Sequence, residues 1–443
     1  MFLQHAAGTV FLVRLLGLGL SRKGELRAGV AVLVIGFGLW AFHNRNRFSL
    51  PIRVALLSGI FAFAAVFSFR QVQIIREHAQ APPPWDFQVF WIYGQLTAQG
   101  ANVYETAPYQ PYKNLLEAQS DFVQSVIDVG ATYPPPTLFL FRPLGWSDLR
   151  TTYLPWQFFT CACVVGSILL LWRLFLSESG AWGLALAALA VIVLHSTWLT
   201  LRVAQTNFLV MLPLLLYWRD RELPRGGLWL ALGAVVKLDV VLVALFPVVR
   251  RQWRQLAWAV GTGIAISAAG LAWLGPKIFF SYFTEHPTSR LPFWVYTEEV
   301  NQSLSAVILR RTGEVVGRSP LAQPLYIALG VLIVICTVCL VHRARNSEWS
   351  LSLVIATALL LYPGTLVHYG VVLLGPLMLV WRIRGTLPYG PWLSGGLIAW
   401  FYLMIGLAQR NCPFIAFVML WVAFAAGILW LPDQLGERTS VVA

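Results

Sequence analysis

Apolar runs such as Leu184–Leu194 and Leu325–Leu340 carry no charge and no alternation, and runs like them recur through nearly all 443 residues. Backbone in hydrocarbon must satisfy its own hydrogen bonds, so such runs predict membrane-spanning helices rather than the strands of a barrel. Composition leaves no soluble alternative. The chain is 58% hydrophobic and 12% charged, whereas soluble chains carry about a quarter charged residues. Its 20 Trp and 14 Tyr suit helices anchored at two water interfaces.

The formal net charge of +13 does not mark a nucleic-acid partner. The basic residues fall in short clusters between apolar runs: Arg45/Arg47, Arg219/Arg221/Arg225, Arg250/Arg251/Arg254, His342/Arg343/Arg345 and Arg382/Arg384. That distribution is the positive-inside bias of cytoplasmic loops, not one basic face. Cys161, Cys163, Cys336, Cys339 and Cys412 lie in or beside apolar runs, as small hydrophobes do, and imply neither zinc nor redox chemistry.

Spans are expected at about 28–43, 50–69, 153–176, 180–200, 205–218, 226–249, 253–275, 321–341, 349–363, 366–381, 391–409 and 412–431, giving an all-α polytopic protein of about 11–13 membrane helices. The stretch Ala6–Leu20 reads as an interfacial or short membrane helix. Segment 226–249 has basic residues at both ends, which predicts a re-entrant hairpin turning near Lys237. Two long outer loops, 70–152 and 277–320, are large for a compact protein and point to function. The first carries apolar residues at helical spacing, Phe87, Phe90, Trp91 and Leu96, then Leu115, Phe122 and Val126. The chain divides into N-terminal helices (1–49), a catalytic core with both outer loops (50–320) and C-terminal helices (321–443).

Several polar residues are candidates for chemistry. Asp86, about seventeen residues beyond the 50–69 span and set among aromatics, taken alone reads first as a helix cap and also fits a partly desolvated base. Arg202, Gln205 and Asn207 form a polar patch at a span end, suited to phosphate or hydroxyls, although an Arg there can also simply snorkel. Lys237 lies deep in an apolar segment, where a bare cation costs at least about 2.5–3.5 kcal/mol. An ion pair with Asp239 or a phosphate ligand would each explain it. His368 follows a Pro363-Gly364 break and suits an anion donor, a proton shuttle or a structural hydrogen bond. Asn301-Gln302-Ser303 has the form of a glycosylation sequon.

Together these residues resemble the GT-C integral-membrane glycosyltransferases, and within them glycosyltransferase family 87, the polyprenol-phosphate-mannose-dependent family. The resemblance rests on Asp86-Phe87, Gly100-Ala101-Asn102-Val103-Tyr104-Glu105, Tyr133-Pro134-Pro135 with Arg142-Pro143-Leu144, Arg202 with Gln205 and Asn207, Lys237, Asn301-Gln302-Ser303 and His368-Tyr369. It implies a large first outer loop and an inverting transfer, on the non-cytoplasmic face of the cell membrane, from a polyprenyl-phosphate sugar to a lipid or glycan acceptor. It further implies Asp86 as catalytic base, with Lys237, Arg202 and His368 on the donor phosphate and His368 also catalytic. Tyr104, Tyr133, Gln205, Asn207, Asn301 and Gln302 are then expected to bind substrate. No obligatory metal is expected, since the outer loops show no Asp-x-Asp pair. Three departures stand out: Ala204 where the family often has Gly, Leu238-Asp239 where Pro is common after the Lys, and no Ser-Pro-x-x-Trp before His368.

A secondary transporter is the rival reading of intramembrane Lys237, Asp239 and His368. Transporters usually show related halves and compact outer loops, and this chain shows neither. Within the same architecture, an arabinofuranosyl- or glucosyltransferase stays open.

Overall fold

The computed structural model describes residues 22–81, 83–113, 129–285, 298–313, 321–386, 389–408 and 411–430. The expected helix within Ala6–Leu20 and the pattern at Leu115, Phe122 and Val126 lie outside the described residues. In chain order the helices are α1 (Arg22–Asn44), α2 (Leu50–Gln80), α3 (Trp85–Ala98), α4 (Pro135–Phe141), α5 (Leu149–Leu171), α6 (Gly180–Val193), α7 (His195–Val203), α8 (Asn207–Asp220) and α9 (Gly226–Val236). They continue with α10 (Leu245–Val249), α11 (Trp253–Leu274), α12 (Pro276–Glu285), α13 (Leu304–Thr312), α14 (Ala322–Arg343), α15 (Ser347–Leu361), α16 (Leu374–Arg382), α17 (Gly390–Leu407) and α18 (Cys412–Trp430).

The fold is an all-α polytopic membrane protein. Among the described residues, eight helical stretches are long and apolar enough to cross a bilayer, and three shorter apolar helices accompany them: Gly226–Val236, Leu238–Val249 and Ser347–Leu361. One apolar core draws residues from α1 through α18, and α1 packs against α17 near the other end of the sequence. The stretch Val367–Gly385 is 89% buried, whereas α11 is 6% buried and turns nearly all its surface outward.

Two long spans are broken, and the breaks position the polar residues. The 180–200 segment bends at Leu194 into α6 and α7, and α7 ends on Ala204, whose φ of 61° is left-handed. Segment 226–249 stops at Lys237, which is extended (φ −148°, ψ 133°), and returns as a 3₁₀ stretch, Leu238–Ala244, and α10. Both its ends lie beside the start of α11. The Gln255 side chain donates to the carbonyls of Arg221 (3.0 Å) and Leu223 (2.9 Å), while Gln252 N–H binds Pro247 O (2.9 Å). This is the re-entrant hairpin that the basic residues at both ends demanded, with Lys237 at its tip.

The basic clusters gather at one end of the bundle. Arg45 reaches Ser179, Arg384 lies over the Phe42 ring, Arg382 and Arg221 meet Glu348, and Arg250 donates to Ala344 O. The hairpin tip points the other way. Since α1 starts at that far end, Arg27 sits there with Arg202, opposite the basic clusters. The turn Tyr362–Leu366 joins α15 to the returning 3₁₀ stretch Val367–Leu373 and α16, at the end away from the Glu348–Arg382 pair.

Candidate active site

Helix α2 runs to Gln80, eleven residues further than the apolar pattern suggested, because Gln71 is buried and the polar stretch beyond Phe69 continues the helix. Asp86 therefore stands six residues beyond the helix end, on the first turn of α3. Pro84 occupies the capping position, and no side-chain cap bond is made. Asp86 is not a helix cap. Its Oδ2 accepts from Gln205 Nε2 at 2.7 Å, a partner 119 residues away.

The local sequence explains the placement. Pro83 and Pro84 hold the approach to α3 extended, and Gln88 locks it by donating to Pro83 O at 2.6 Å. Gly94 of α3 meets Gly145 backbone to backbone, and a Cβ on either would overlap the other. Phe90 stacks on Phe141 with ring centroids 4.4 Å apart. Helix α4 takes Pro134 and Pro135 at its cap and first turn, as proline's fixed φ favours.

Around Asp86 lies a group of polar side chains, each delivered by a helix break. Gln205 follows the left-handed Ala204, and the Ala204 carbonyl is held by Trp156 Nε1 at 2.9 Å. Lys237, 5% exposed, donates from Nζ to Asn207 Oδ1 at 2.7 Å and lies 3.7 Å from the centre of the Tyr369 ring. Among the described residues it makes no ion pair within 4 Å, so Asp239 is not its salt-bridge partner, although both Asp86 and Asp239 bear on it electrostatically. Asn207 is held in turn by donating to Thr200 Oγ1 at 3.0 Å. His368, buried beside Tyr369 and close enough to feel the Lys237 charge, leaves Nε2 without a hydrogen-bond partner, as Asp239 leaves Oδ1. The Tyr133 hydroxyl lies within hydrogen-bonding reach of Gln205, and burial holds its pKa well above the ordinary phenol value. Burial raises the Asp86 carboxyl to about 6, against the lowering effects of the Gln205 bond and the Lys237 charge.

Asp86, Tyr133, Gln205, Asn207, Lys237 and His368 are thus brought together. Four other expected site residues are not. Arg202 is exposed on the opposite face of α7, its guanidinium 4.8 Å from the Trp198 ring. The even spacing of α7 turns it away from Gln205 because the left-handed Ala204 lies between them. Tyr104 is fully buried and spends its hydroxyl on Tyr133 O at 2.9 Å, behind the site. Asn301 and Gln302 are fully buried too. Asn301 donates to Pro363 O at 2.9 Å, and Gln302 N–H binds Thr365 O at 2.7 Å while Val367 N–H binds Val300 O at 2.9 Å. They strap the break that carries His368. An amide buried in this way is also no glycosylation acceptor. Asp239 is the residue whose position sequence reasoning undervalued. Its signal was a second carboxylate two positions from a deep lysine.

The fold is that of a multi-pass helical membrane protein with a buried polar centre. The chain belongs to glycosyltransferase family 87: residues 131–368 match that family, from the strand of loop before Tyr133 to His368. Asp86 and Tyr104 precede the matched stretch. No curated protein and no solved structure matches the chain. Among the described residues no three His, Cys, Asp or Glu side chains cluster as metal ligands.

Proposed function

We propose that this glycosyltransferase moves a sugar, mannose by the family resemblance, from a polyprenyl-phosphate donor to a hydroxyl of a lipid or glycan acceptor. The reaction would run at the non-cytoplasmic face of the cell membrane, a side supported by the gathering of the basic clusters at the other end. The observation that carries the reading is the Gln205–Asp86 bond at 2.7 Å beside the Lys237 ammonium. It puts a base of raised pKa and a buried cation in one apolar-walled centre.

In this mechanism Asp86 takes the proton of the acceptor hydroxyl as its oxygen bonds to the anomeric carbon, from the face opposite the leaving group. The bond from that carbon to the phosphate oxygen breaks, and its electron pair stays with the phosphate. Gln205 orients the carboxylate. Lys237, fixed by Asn207, neutralises charge gathering on the leaving phosphate, as a preorganised cation does best out of water. His368, with a free Nε2, is the second phosphate donor. Tyr133 offers its ring and hydroxyl to the sugar. With an ammonium in place, the chemistry needs no obligatory metal.

The test uses the full chain in lipid nanodiscs with a panel of polyprenyl-phosphate sugars and a crude lipid acceptor extract, with and without excess chelator. Native protein is expected to release polyprenyl phosphate from one donor class, unaffected by chelator. Asp86→Asn keeps shape and the Gln205 contact but loses basicity, so release should fall by about 10²–10⁴. Equal turnover by both proteins would remove Asp86 from the chemistry, and a strict need for divalent ion would overturn the metal-free mechanism.

A further inference from the structure

We infer that the rim between α1, α2 and α7 holds a second anion site, for the phosphate of an anionic membrane phospholipid, separate from the centre around Asp86. Two guanidiniums converge on one indole there. Arg27 of α1 lies 4.5 Å, and Arg202 of α7 4.8 Å, from the Trp198 ring centre. His195 stacks on the same ring at 5.4 Å, and Arg202 is near enough to act electrostatically on His78 of α2.

Like charges set against one ring favour a counterion beside them. Among the described residues neither Arg27 nor Arg202 forms an ion pair. Glu77 of α2 acts on His78, and α1 carries Glu25 two residues before Arg27. His78 Nδ1 is buried and has no hydrogen-bond partner. These cations also sit at the end of the bundle opposite the basic clusters, against the bias that places Arg in the cytoplasm. A cost in topology is retained where the charge has a use.

The ligand arrives from the bilayer. Helix α2 is 11% buried in its apolar window and so faces lipid, and a tryptophan flanked by arginines is how interfacial headgroup depth is marked. The face of α7 carrying Trp198 and Arg202 is opposite the one whose Ser196 bonds Val367 O at 2.7 Å behind His368. The lipid site is therefore a neighbour of the centre across one helix, and it does not depend on which donor the centre takes.

Native mass spectrometry of the full chain, titrated with phosphatidylglycerol in a phosphatidylcholine background, reads it directly. Native protein should retain one phosphatidylglycerol. Arg27→Gln with Arg202→Gln should lose it by about twenty-fivefold, the product of roughly fivefold per guanidinium at an anionic lipid surface. Arg27→Lys with Arg202→Lys should retain it in part, and the equal charge loss of Arg47→Gln with Arg254→Gln should retain it fully. Both arginines are exposed, so an unchanged melting temperature checks the fold. Equal retention by the Gln pair and the Arg47/Arg254 pair would sink the site. Displacement of phosphatidylglycerol by polyprenyl phosphate, or saturation by inorganic phosphate alone, would overturn the phospholipid assignment.

Discussion

The two ends of the bundle handle buried polarity in opposite ways. At the basic end the buried carboxylates are answered: Glu348 takes Arg382, Arg221 at 3.4 Å and Trp218 Nε1 at 3.3 Å, and Asp220 takes Arg219 at 2.9 Å, Arg225 at 3.2 Å and Trp229 Nε1 at 2.9 Å. At the other end Asp86 has one partner, Asp239 Oδ1 and His368 Nε2 have none, and Lys237 leans on an amide and a phenol ring. Groups buried without full partners cost stability, so a chain keeps them where a ligand completes the set. The satisfied end holds helices together. The unsatisfied end waits for substrate.

That contrast can be broken first at Lys237. Lys237→Met removes the buried cation beside Asp86 and should lower kcat by about 10²–10³ while the protein stays folded, as loss of a preorganised charge stabiliser does. A fall in melting temperature with little change in kcat would make Lys237 a structural residue like Arg382. The converse substitution is Glu348→Ala, which strands Arg221 and Arg382. It should destabilise by about 3–5 kcal/mol, seen as a lower thermal midpoint, with turnover per folded molecule retained.

The pH profile sharpens the comparison further. A base must be deprotonated to accept a proton, and the Asp86 carboxyl sits at about 6. Transfer should be level above that pH and fall about tenfold per unit well below it. A profile flat down to pH 4.5 would mean an ordinary, solvated carboxylate. The smallest effect is expected at Ala204, held left-handed between Trp156 and Gln205. Glycine there relieves about 1–2 kcal/mol of strain and gives back about 0.5–1 in chain entropy, so Ala204→Gly should gain roughly 0.5 kcal/mol without loss of activity. Ala204 thus carries backbone strain that a glycine there would not.

The helical membrane class, most spans and the hairpin at Lys237 were legible in one dimension, because hydrocarbon thickness, hydropathy and basic flanks act locally on the sequence. Even so, α2 ran past its apolar stretch to Gln80, since a helix leaving the bilayer keeps its hydrogen bonds and needs no further apolar residues. The centre was legible as a set of residue types and not as a set of contacts. Asp86, Gln205, Lys237 and His368 came together as their oddity in apolar surroundings suggested, while Tyr104, Asn301 and Gln302 turned out to brace Tyr133 and the Pro363 break from behind. Arg202 and Gln205, three positions apart, face different helices.

Sequence alone determined what this chain must be: apolar segments too long and too uncharged for water, set with a few polar residues too costly to be accidental. Tertiary structure alone decided which of those residues meet, because helix breaks at Leu194, Ala204, Lys237 and Pro363 set directions that no local pattern encodes. Burial is local enough to read from hydropathy. Convergence depends on how distant breaks are packed against one another.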